Sequence, residues 1–124
     1  MKAVKWIYKG AGIYGLLVIV PMFFAENRIA ILDPPAITHP EFFYGFLFLC
    51  TVFQLLFLLI SKDPIRYRPL IPLAILEKIP YGIFIFFLYS NQRVSGMVLI
   101  GGVIDLFLGS LFIWSFFKTE ESSF

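Results

Sequence analysis

The chain has 124 residues, of which 60% are hydrophobic and only 15% charged. Soluble domains carry roughly a quarter charged residues, and a chain this short builds too small an interior to hide so much apolar surface from water. The composition therefore excludes a water-soluble globular domain and implies one all-α, membrane-embedded domain over residues 1–124. The formal charge of +2 comes from basic residues in short flanks. They form no stripe interleaved with exposed aromatics, so the expected partners are membrane lipids and not nucleic acid. Cys50 and His39 are each the single residue of their type. That excludes an internal disulfide, a thiolate cluster and a bis-histidine haem within one copy, and neither a metal nor another cofactor is expected.

Four apolar runs follow in chain order, at residues 7–25, 42–60, 70–89 and 95–117. Each approaches the roughly 20 residues that a helix needs to cross hydrocarbon. The first is preceded by the basic "MKAVKWIYKG" and could be taken for a signal peptide. Phe23, however, stands where a cleavage site needs a small residue, so the run reads as a retained helix. "GAGIYG" inside it follows no strand and is not a phosphate loop.

Four spans bring both termini to one side, which carries Lys2, Lys5, Lys9, Lys62, Arg66, Arg68 and Lys118, against Arg28 and Arg93 on the other. This bias places both termini in the cytoplasm. Trp6, Tyr8, Tyr67 and Trp114 then fall near the inner boundary, where amphipathic rings settle. "SKDPIRYRP" is a tight inner turn, and its bases read as a topology signal or a contact for anionic lipid heads. "NQR" is a short outer turn that makes the third and fourth spans antiparallel neighbours. "ENRIAILDPPAITHPE" is the one long external loop, with room to cap the outer end. Within it Thr38 and Glu41 have capping-box spacing ahead of the second span. His39 and Glu41 also form a candidate polar pair at the outer mouth.

Polar residues inside a span locate its protein-facing side. At 1.5 Å per residue, Gln54 lies about 9 Å from the inner end of the second span, Glu77 about 12 Å into the third and Asp105 about 18 Å into the fourth. Three helices thus bring polar side chains into one slab. Tyr81 follows Glu77 by one turn, within hydrogen-bonding reach. Pro80 frees the Leu76 carbonyl nearby. Phe43, Leu47, Cys50 and Gln54 form a stripe facing the same region. Gly101, Asp105 and Gly109 recur every four residues, as do Ala11 and Gly15, the small-residue spacing of close helix contacts. Lys78 projects about 100° from Glu77, which makes the two poor partners. Lys78 is expected to snorkel to the surface or to pair with Asp105.

Three arrangements remain open. One is a structural network in which Lys78 neutralises one carboxylate and the other is protonated. Another is a pocket in which Glu77 and Asp105 touch a ligand or move a proton, with Gln54 and Tyr81 as further ligand-binding candidates. The last is a tilted third helix that leaves Glu77 and Lys78 at the interface.

"YGLLVIVPMFF", "PPAITHPEFFYGF", "SKDPIRYRPL" and "LEKIPYG", in that succession, resemble a group of small bacterial four-helix membrane proteins. The resemblance spans nearly the whole chain and implies a multi-pass protein of the bacterial inner membrane, with no activity attached. "FFYGFLFLCTVFQLLFLL" is also similar to an aromatic-rich helix of the EXPERA superfamily, which includes sterol isomerases. That similarity implies a lipid-binding bundle with Glu77 as the candidate acid. The second span departs from the pattern in having no acid at its middle, and Asp105 has no counterpart.

The functional expectation is a membrane protein that binds a hydrophobic or lipid-like molecule in an intramembrane pocket, or an accessory subunit of a homo-oligomer or larger membrane complex. The alternatives are a lipid isomerase using a buried carboxylate and a small proton-coupled exporter. No catalytic residue is identifiable.

Overall fold

The computed structural model describes residues 1–122. Among them the secondary structure is helical throughout: α1 (Lys2–Met22), α2 (Glu26–Leu32), α3 (Pro40–Lys62), α4 (Ile71–Ser90) and α5 (Gly96–Ser122). A 3-10 turn over Arg68–Leu70 leads into α4. Four of these, α1, α3, α4 with its leading turn, and α5, are long and apolar enough to cross a membrane. Their outer faces carry large apolar side chains such as Leu17, Phe42, Phe84 and Phe107, all exposed. So continuous an apolar exterior is unfavourable in water and favourable against lipid.

Three local features differ from the sequence reading. The segment between the first two spans contains α2, where a loop is expected. Ile29 and Ala30 are half-buried, and the helix stops ahead of Pro34 and Pro35, which cannot continue it. The capping box of Thr38 and Glu41 does not form. Pro40 takes the first helical position, so the N-cap is His39, whose side chain makes no capping bond. Thr38 is one residue too far out. Tyr8, expected at the membrane boundary, is wholly buried in the core.

The helices pack as two antiparallel pairs, α1 with α3 and α4 with α5. Glycine sets the closeness within each pair. A Cβ on Gly12 would stand 2.7 Å from Leu58 and 3.0 Å from the Gln54 carbonyl. A Cβ on Gly82 would meet Leu106 at 2.6 Å and the Gly102 carbonyl at 2.9 Å, and one on Gly102 would meet Ile85. Small residues thus let two backbones approach and gain dispersion contacts that larger side chains would prevent. Gly101, expected on this contact face, has nothing within 4 Å of its Cβ position. Its neighbour Gly102 makes the contact. The α4–α5 turn closes with Arg93 N–H donating to the Leu88 carbonyl at 2.8 Å and Gln92 N–H to Tyr89 at 2.9 Å, with Gln92 at φ 59°. This is the bonding of a Schellman cap, which requires a left-handed residue at that place.

Aromatic rings join the two pairs at the end that carries both termini. Tyr8 of α1 stacks on Phe112 of α5 at 4.6 Å between centroids, and Phe57 of α3 meets Phe112 edge-on at 5.0 Å. The Tyr8 hydroxyl and the Ser115 hydroxyl are 2.6 Å apart, which satisfies a group that would be costly to bury alone. Val4, Ala11, Ile60, Ile71 and Ala74 complete this core. Arg68 seals its edge. Its Nε donates to the Phe116 carbonyl at 3.1 Å and to Thr119 Oγ1 at 3.2 Å, and its guanidinium lies 3.8 Å over the Phe116 ring.

The opposite half holds no comparable core. The pairs are bridged there by α2: Tyr44 of α3 donates to Glu26 Oε2 at 3.0 Å, and Ser95 at the head of α5 donates to Asp33 Oδ2 at 3.0 Å.

Gly82→Ala is expected to lower the unfolding free energy by about 1–3 kcal/mol through overpacking against backbone. Gly10→Ala, whose Cβ meets nothing within 4 Å, is expected to raise it by about 0.5–1 kcal/mol through helix propensity. Denaturant titration of the two variants in the same micelle checks both signs.

Candidate intramembrane binding site

Between the two helix pairs, above the aromatic core and below α2, lies a cavity of about 550 Å³. Its walls are mainly apolar, from Val18, Ile19, Phe46, Leu49, Phe53 and Val98, with Ile29 and Leu32 of α2 at the mouth. Gln54, Glu77, Lys78 and Asp105 face it from three helices, together with Tyr14, Cys50 and Tyr81.

Lys78 organises the polar floor. It is 5% exposed, and its Nζ donates to Asp105 Oδ1 at 3.2 Å across the α4–α5 interface. Gly109, one turn from Asp105 on the same face of α5, lets α4 come close at this level: a Cβ there would collide with the Ile79 side chain and stand 3.1 Å from Lys78 Cβ. Lys78 Nζ also lies 3.3 Å from Glu77 Oε2. The sequence reading of these neighbours as poor partners is corrected here. Their Cα–Cβ directions do diverge, but the four-carbon lysine stem curls back far enough to reach the adjacent carboxylate.

The two contacts differ in kind. Glu77 Oε2 is at ion-pair distance but out of line for a hydrogen bond, and it is buried with no hydrogen-bond partner. Below, the ammonium lies 5.4 Å from the centroid of Phe57, where the negative ring face attracts it. The cation is held between two acids above and the aromatic wedge below.

Gln54 is 2% exposed. Its amide Nε2 donates to the Cys50 carbonyl at 2.8 Å, one turn back. Its Oε1 is buried with no hydrogen-bond partner and packs where a Gly15 side chain would otherwise stand. The glycine at position 15 is therefore required less by helix contact than by the glutamine head beside it.

Glu77, Asp105, Lys78, Gln54 and Tyr81 thus converge on one cavity. Tyr81 makes no hydrogen bond to Glu77; its ring lies 6.2 Å from that of Phe46, tilted by 30°. The stripe on α3 divides, with Cys50 and Gln54 lining the cavity while Leu47 is buried elsewhere. His39 and Glu41 lie outside it, exposed and paired with each other at 3.1 Å. Among the described residues no three His, Cys, Asp or Glu side chains cluster as metal donors.

Sequence reading missed Phe57, Tyr14 and Asp33, and gave Gly101 a helix-contact role where it lines the cavity. Phe57 was detectable, because it follows Gln54 by three residues and shares its face. Asp33 carries no such signal, since its partner Ser95 belongs to a distant turn. Compared with protein-family models, with curated proteins and with solved structures, the chain finds no match in any of the three.

Lys78→Met would leave two half-buried carboxylates, Glu77 and Asp105, without their cation, and is expected to cost up to about 3 kcal/mol of stability. Glu77→Gln keeps the bond from Lys78 to Asp105 and is expected to cost no more than about 1.5 kcal/mol. Unfolding free energies in bilayer-mimetic micelles give the comparison; equal losses would show that Glu77 is as necessary to the fold as Lys78.

Proposed function

We propose that this is a multi-pass membrane protein that binds an amphipathic, lipid-like ligand between its two helix pairs. The ligand's apolar body lies against the aliphatic and aromatic walls, and its polar end meets Glu77, Lys78, Asp105 and Gln54. A volume of about 550 Å³ falls within the roughly 300–1,000 Å³ common to small-molecule sites, which are mostly apolar with a few convergent polar groups. The observation that carries the reading is the convergence of Glu77, Lys78 and Asp105, from two facing helices, on the floor of an otherwise apolar cavity of that size.

The protein sits in a bacterial inner membrane with both termini cytoplasmic, on this proposal. Support comes from the Lys/Arg excess at the end carrying the termini and from the resemblance noted above. The core at that end then lies toward the cytoplasm, and α2 covers the cavity from outside. Fusions test the orientation: a fluorescent reporter at either terminus should light up, and alkaline phosphatase at the same points should be inactive. The reverse pattern would overturn the placement.

Ligand binding itself is tested at Gly101, which lines the cavity and has nothing within 4 Å of its Cβ position. Gly101→Leu should fill the cavity without disturbing helix contacts. Lipid extraction and mass spectrometry of the purified protein should recover a bound amphiphile from the unaltered chain and roughly tenfold less from the variant, with thermal stability unchanged. Recovery of no ligand from either, or of equal amounts from both, would sink the reading.

A further inference from the structure

Resting on that binding proposal, we infer that the polar end of the ligand is an ammonium group, so that the cavity selects amine amphiphiles over neutral or anionic ones.

The inventory of donors and acceptors at the floor points this way. Two carboxylates face one lysine, Glu77 and Asp105 against Lys78. Lys78 is aligned with Asp105, while Glu77 Oε2 is buried and lacks a hydrogen bond. Both carboxylates line the cavity, with side chains 15% and 17% exposed for Glu77 and Asp105. The site is short of positive charge.

A carboxylate or phosphate head would add a third anion and no donor, and a carbonyl or ether would bring only further acceptors. A hydroxyl supplies one donor and no charge. An alkylammonium supplies up to three donors and one positive charge, making two cations for two carboxylates in a setting where unmatched charge is costly. The walls suit its hydrocarbon part. The surroundings contribute no competing cation: the other titratable groups lining the cavity are Tyr14, Cys50, Tyr81 and, at the mouth, Asp33.

Cys50 allows a direct test, being the chain's one cysteine and a cavity-lining residue. The full chain in zwitterionic phosphatidylcholine nanodiscs is alkylated with N-ethylmaleimide in the presence of dodecylamine, dodecanol or laurate at equal mole fraction. Dodecylamine is expected to slow alkylation of Cys50 about tenfold, and the other two less than about twofold. Glu77→Gln and, separately, Asp105→Asn should each remove most of the protection by dodecylamine, with helicity and melting followed alongside. If either variant fails to fold, the three-way comparison on the unaltered chain decides alone. Equal protection by dodecanol or laurate would overturn the amine selectivity and leave a lipid-like pocket standing. Protection by dodecylamine that survives in both folded variants would overturn it too. No protection by any of the three would overturn the pocket as well.

Discussion

A lysine placed among apolar helices must find its counter-charge inside the protein, because the surroundings offer neither water nor ions. Lys78 meets that constraint with Asp105 from the facing helix and Glu77 from its own, at 3.2 and 3.3 Å. Much of the molecule is arranged around this requirement. Gly109 lets α5 approach α4 beside Ile79 and Lys78, Phe57 presents its ring to the ammonium, and Phe57 in turn leans on Phe112, which stacks on Tyr8. A single line of contacts from the ion pair downward therefore touches all four long helices. Buried ion pairs give little net stability against an apolar substitute, since desolvation offsets most of the Coulomb attraction. The trio therefore has more to do with fixing which faces meet than with holding the bundle together.

Stability comes from two different kinds of packing, separated in space. Within each helix pair, glycines bring backbones close: Gly12 in one, Gly82 and Gly102 in the other. Between the pairs, bulky aromatic rings fill the half that carries the termini. Nothing equivalent fills the other half, and the cavity is the consequence. The strap formed by α2 ties its two sides together through Glu26 with Tyr44 and Asp33 with Ser95. Each bond belongs to a different helix pair, so the short helix acts as a bridge as well as a cover.

The same division relates architecture to chemistry. The aromatic half is closely packed, and its buried hydroxyls are paired, as with Tyr8 and Ser115. The cavity half holds the charged groups Glu77, Lys78 and Asp105 beside open volume.

The all-helical class, four apolar helices of membrane-crossing length and the gathering of Gln54, Glu77 and Asp105 at similar heights were all legible in the residues. Hydrophobic run length and helical rise are local properties that one chain reveals without its neighbours. Which faces meet came only with packing. It moved the close-contact role from Gly101 to Gly102, took Tyr8 into the core, and turned Lys78 back onto Glu77 against the direction of its Cα–Cβ bond. It also formed α2, whose few residues gain support from Tyr44 and Ser95, far away in the chain. The reason is the same in each case. Helix rotation and the path of a long side chain depend on the volume left by residues remote in sequence, and no local pattern encodes that volume.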